Sequence, residues 1–199
     1  MSTSELSKFE HSLERITYTR QRMENLYQDK RLNETDMDSV YEALFLRAVT
    51  SFEAFLEGQF LAILQGRTSY AQRRVRVRMS AVSRDALFSI LLQRTKYMQW
   101  LPFINTIERA NIYLAGGKPF SELDGGQRDM LHRITVIRNA IAHRSDYAMK
   151  KFSQDVIGTA ALLPREHRPA GFLRGVSMAR QKRFEIYISQ LGDMARRIS

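Results

Sequence analysis

The chain contains no cysteine, which excludes disulfides and thiolate metal sites and fits a reducing cytosol. Proline occurs four times and glycine ten times in 199 residues, too seldom for a loop-rich all-β fold. No apolar run approaches the ~18 residues of a membrane span. The opening MSTSELSKFEH is polar and charged and lacks the apolar core of a signal peptide. These absences predict a soluble, cytoplasmic protein with no membrane contact. One further absence is local. No acidic residue lies between Glu57 and Asp85, whereas Arg67, Arg73, Arg74, Arg76, Arg78 and Arg84 do.

Apolar residues make up 44% of the chain, enough for a real core, and the length suits one compact domain. The net charge is +10 and unevenly placed. Residues 1–64 hold 7 Lys/Arg against 11 Asp/Glu, a net of −4; the remainder holds 24 against 10, a net of +14. An excess of this size attracts polyanions, nucleic acid first and an anionic membrane surface second. A basic surface that only keeps the protein in solution is the plain alternative.

Hydrophobic spacing predicts an all-α, up-and-down bundle of about five to six helices in one domain spanning 1–199. Phe9, Leu13, Ile16, Met23 and Leu26 mark a first helix over 4–31, with Ser2 and Glu5 spaced as a capping box. A second, over 37–65, has Asp36 or Asp38 as its cap, a wide stripe from Val40 to Leu64, and Gly66 as its stop. The basic insert near 67–82 follows. Its RRVRVR run fits a short extended segment or a flexible loop, and in either form Arg73, Arg74, Arg76 and Arg78 are candidates to contact the phosphates of a polyanion. Ser83 caps a third helix and Pro102 opens a fourth that ends before Gly116 and Gly117. A helix over 127–144 precedes a looped segment near 158–176, and Ser177 caps the last helix.

The helix over 127–144 carries RNAIAHRSDY. On a wheel of ~100° per residue, Leu131, Ile134, Ile137 and Ile141 form the core stripe. Asn139 and His143 stack at i and i+4, and His143 lies ~200° from Ile141, away from the core. That disfavours a packed core imidazole. It leaves open a surface histidine whose charge suits a helix C-terminus. His132 is eleven residues from His143, a rise of ~16 Å, so the two cannot share one ion. No other ligand spacing accompanies them, and no cofactor is expected. Nucleophile-elbow and P-loop patterns are missing too. Glu53, between Phe52 and Phe55, reads as a solvated flank residue or as a carboxylate supporting an active site.

Arg138-Asn139-Ala140-Ile141-Ala142-His143 resembles the signature of HEPN domains, and ALFLRAVTSFEAFLEGQFLAIL, residues 43–64, resembles the long helix these domains place earlier. The resemblance covers roughly residues 35–150. It implies a bundle that forms a homodimer, so that two Arg–His motifs face one cleft. Many members are metal-independent endoribonucleases of toxin–antitoxin or phage-defence systems; others have lost catalysis and bind nucleotides, RNA or partner proteins. The catalytic roles it implies fall on Arg138, Asn139 and His143, with RNA as substrate and an antitoxin protein as a possible partner. The chemistry suits the residue types, since RNA carries its own 2′-hydroxyl nucleophile. Histidine suits proton transfer near neutral pH, and arginine can donate two hydrogen bonds to a phosphate. The two histidines of a dimer would then divide the acid and base roles. A basic helical adaptor whose dimer face is its whole function is a third reading.

Overall fold

The computed structural model describes residues 4–67, 77, 98–177 and 180–199. Among them are seven α-helices and no strand, only two isolated antiparallel bridges, Val77 to Leu114 and Val176 to Lys182. The architecture is all-α. RRVRVR, except Val77, and the helix expected from Ser83 fall outside the described residues, as does Ser2 with its capping box.

α1 (Ser4–Gln28) buries Leu6, Phe9, Leu13 and Ile16 at helical spacing against α2 (Glu34–Leu64). The cap of α2 is Asn33 rather than Asp36 or Asp38. The Asn33 side chain accepts from the Asp36 backbone N–H at 3.0 Å, and the Asp36 carboxylate accepts from the Asn33 N–H at 2.9 Å. Asp36 is thus the far member of a capping box, which moves the start of the helix three residues upstream of the expected Met37. Gly66, at φ +65°, ends it as expected.

α2 is the hub. It packs against α1, α3 (Phe103–Tyr113), α4 (Gly125–His143), α6 (Pro169–Arg174) and α7 (Arg183–Ile198). Fully covered aromatic rings mark its contacts. Phe52 meets Phe9, Phe45 meets Phe184 and Tyr187, and Phe60 meets Trp100, Tyr113 and Phe120. At its far end Gln59 donates to the Ile198 carbonyl, fixing the end of α7.

Two stretches depart from expectation. Residues 158–176 are not simply looped. After α5 (Asp146–Phe152) and a π-turn over Ser153–Ile157, a 3₁₀ turn (Pro164–His167) leads into α6. Glu166 organises this return, accepting from the Leu163 N–H at 2.9 Å and from Arg183 at 2.6 Å. Gly171 lets the chain cross itself, since a β-carbon there would lie 2.0 Å from the Arg165 carbonyl oxygen. Ser177 does not cap the last helix. Its N–H donates to the Gln181 carbonyl in a tight turn, and α7 begins only at Arg183. Among the described residues the helices number seven because the chain after α4 contributes two short ones, α5 and α6, that hydrophobic periodicity cannot register.

The charge asymmetry is partly matched inside the molecule. Carboxylates of the first 64 residues receive cations from the rest: Arg174 holds Glu34 and Asp38, Arg144 holds Glu42, Lys182 holds Glu24, and Arg196 holds Glu10. Burial alone would raise the Glu24 carboxyl. Hydrogen bonds from Lys182 and Tyr41, with the charges of Lys182 and Arg20, bring it net below its ordinary value. Glu34 is held low by hydrogen bonds from Tyr27 and Arg174. Groups lowered in the folded state stabilise it fully above their unfolded value near 4.5 and lose that contribution as pH falls through the lowered one. Thermal melting should therefore change little from neutral pH to about 5 and fall steeply below 4.5. Glu24→Gln should make the fall shallower; an unchanged acid profile in that variant would remove this seam as its cause.

Candidate functional site

α4 starts at a second capping box. Asp124 accepts from the Gln127 N–H at 2.9 Å, and Gln127 accepts from the Asp124 N–H at 3.2 Å. This sets the helix register. Leu131, Ile134, Ile137 and Ile141 are buried as the wheel requires, joined by Thr135, Val136 and Ala140. Arg138 and Asn139 are half-buried, and His143, the last helical residue, is exposed. Arg144 then turns the chain in the left-handed region at φ 47° and reaches back to Glu42 at 2.5 Å. Ser145 caps α5 immediately afterwards.

Arg138, Asn139 and His143 line one cleft of about 870 Å³ between α4 and α2. Glu53 lies on its opposite wall with Thr50, Ala54 and Glu57. Residues 98–102 close one end, and Glu5 of α1 reaches the rim beside Gly58. A β-carbon at Gly58 would sit 2.6 Å from the Glu5 carboxylate. The three catalytic candidates and Glu53 therefore line one cleft, 85 positions separating Glu53 from Arg138 along the chain.

Within the cleft, Arg138 donates to the Asn139 side-chain oxygen at 3.0 Å. This links the two polar side chains where both line the cleft. Burial raises the Glu53 carboxyl above its ordinary value, partly offset by the positive charge of Arg138. The end wall is firmly built. The Trp100 indole N–H donates to Glu57 at 3.0 Å, its carbonyl accepts from Thr106 at 2.6 Å, and Arg109 stacks 4.6 Å from its ring.

Comparison with family models, with curated proteins and with solved structures gives no match.

Glu57, Glu5 and Trp100 were not legible beforehand. Glu57 is one helical turn from Glu53, and that i, i+4 pair was the available signal. Trp100 sits in an irregular segment about forty residues from the motif, where periodicity is silent. The phosphate contacts expected of Arg73, Arg74, Arg76 and Arg78 lie outside the described residues. His132 belongs to a separate cluster, where its imidazole and Lys151 meet Asp155 at 3.1 and 3.3 Å. No described helix is long and apolar enough to cross a membrane.

Proposed function

We propose that the protein is a metal-independent endoribonuclease of HEPN type, acting as a toxin or phage-defence effector. One observation carries this reading: Arg138, Asn139 and His143 open into a single cleft, with Glu53 across from them. Arg138 supplies two parallel donors for the non-bridging phosphate oxygens, on which negative charge grows in the transition state. Asn139 accepts a hydrogen bond from that guanidinium. His143, exposed at the cleft mouth, moves a proton. Attack by the 2′-hydroxyl yields a 2′,3′-cyclic phosphate and a 5′-hydroxyl. Arg73, Arg74, Arg76 and Arg78 hold the RNA by its backbone, and an antitoxin protein would restrain the activity. The deciding experiment is cleavage of mixed-sequence RNA by the purified protein in excess EDTA, with the termini of the products identified.

Among the described residues, three glutamates, Glu5, Glu53 and Glu57, share the cleft with one guanidinium, that of Arg138. This balance favours a second reading, a non-catalytic module binding RNA, a nucleotide or a partner protein. RNA binding without cleavage in the same assay would select it.

The exposed end of α4 also supports a homodimer in which Asn139 and His143 face the two-fold axis. Light scattering at micromolar concentration should give twice the 23.2 kDa chain mass. A mass of one chain throughout that range would remove the dimer from the proposal.

A further inference from the structure

We propose that Glu53 and His143 of one chain form the complete proton-transfer pair for RNA cleavage, Glu53 as base and His143 as acid. This rests on the ribonuclease reading and replaces the division of roles between two histidines of a dimer.

Among the described residues the cleft holds three carboxylates, and their surroundings separate them. Glu57 is engaged by the Trp100 indole N–H. Glu5 is engaged by Lys8 at 2.8 Å, on the outer rim. Glu53 has neither a hydrogen bond nor an ion pair with any described residue, although it is half-buried and faces the cavity. A half-buried carboxylate with no described hydrogen-bonding partner is the one of the three suited to take a proton from a ligand. Among the described residues, the charged and titratable groups around it are Glu57 on its own helix, Glu5 from α1, and Arg138 and His143 from α4; Arg109 stands behind the Trp100 ring. Burial raises its proton affinity and Arg138 lowers it, with burial winning. That direction makes Glu53 a stronger base than an exposed carboxylate while keeping it beside the phosphate-binding guanidinium.

The step balances within one chain. The Glu53 carboxylate takes the 2′-hydroxyl proton as the 2′-oxygen bonds to phosphorus. The bond from phosphorus to the 5′-oxygen breaks, and protonated His143 gives its proton to that oxygen. Glu53 ends protonated and His143 neutral, and exchange with water restores both.

Replacing the bridging 5′-oxygen of RNA by sulfur separates the roles, because a thiolate leaves without needing a proton. Wild type, Glu53→Gln and His143→Ala are compared in EDTA on mixed-sequence RNA with each linkage, with circular dichroism and RNA-binding titrations alongside. Glu53→Gln should bind RNA but lose roughly 10²–10⁴-fold in cleavage of both substrates, together with the acidic limb of the pH–rate profile. His143→Ala should lose a similar factor on ordinary RNA and recover on the sulfur-bridged one. Mixing the two variants should restore nothing, since each chain lacks half of its own pair. A Glu53→Gln rate near wild type overturns the assignment while leaving the ribonuclease reading intact. So does its recovery on sulfur-bridged RNA, or activity regained on mixing. Failure of wild type to cleave either RNA overturns both.

Discussion

His143→Ala should retain the helical circular dichroism of the wild type and lose roughly 10²–10⁴-fold in RNA cleavage, the span typical of general acid–base catalysis. The folding half of this expectation follows from position. His143 is exposed at the end of α4, and its truncation opens no cavity among Leu131, Ile134, Ile137 and Ile141. Arg138→Ala should cost a comparable ~10²–10³-fold, because it removes the donors aimed at the charge that develops on phosphate. It should also act on Glu53. The Arg138 charge is what draws that carboxyl downward, so its removal leaves burial unopposed and raises it further. The acidic limb of the Arg138→Ala pH–rate profile should accordingly shift upward. Arg138→Lys keeps a charge but not the paired donors, and should recover only part of the rate. A well-folded His143→Ala protein that cleaves at the wild-type rate would end the catalytic reading of RNAIAH.

How far the sequence reached depends on which physical signal it was asked for. Helical periodicity found α1, α2, α3, α4 and α7 because each buries a continuous apolar stripe. The same signal misses α6, whose six residues are too few to show a period; its place is set by Gly171 and the Glu166–Arg183 pair. The wheel placed His143 correctly off the core because helix geometry is fixed at short range. It had no means of finding the other wall of the cleft. Glu53 stood out only as a carboxylate between two phenylalanines. That it faces Arg138 depends on how α2 packs against α4, which is decided by tertiary contacts far apart in the chain.

The charge pattern shows the same limit in another form. A net of −4 before residue 65 and +14 after it reads as a footprint for a polyanion. In the folded chain Glu10, Glu24, Glu34, Asp38 and Glu42 take cations from the basic part, so some of that excess is neutralised internally. These pairs lie largely at the surface, where each is worth at most about 1 kcal/mol. Small singly, they act together on stability at acid pH, and they also neutralise part of the basic surface.

Phe60→Ala should produce the largest loss of stability, about 3–5 kcal/mol, and disturb the cleft as well. Phe60 is fully buried on α2, with ring centroids 5.3 Å from Trp100, 6.2 Å from Tyr113 and 5.6 Å from Phe120. Truncation empties the space that three aromatic rings close around, and rings fixed to separate elements cannot all collapse into it. For a chain of this size the loss corresponds to a melting temperature lower by roughly 6–20 °C. Tyr18→Ala is the control, since that ring is 66% exposed and its removal should cost under about 0.5 kcal/mol. Trp100 reports the functional consequence, because it is the chain's single tryptophan and is only 2% exposed. Its ring rests on Phe60 on one side, while its N–H anchors Glu57 at the cleft wall. Loosening the ring should shift its fluorescence to longer wavelength below the melting transition, as water reaches the indole. Glu57, freed from that donor, would then compete with Glu53 for protons and for Arg138, so cleavage should weaken before the protein unfolds. A Phe60→Ala protein with wild-type melting and unshifted emission would show that this aromatic cluster does not hold the cleft.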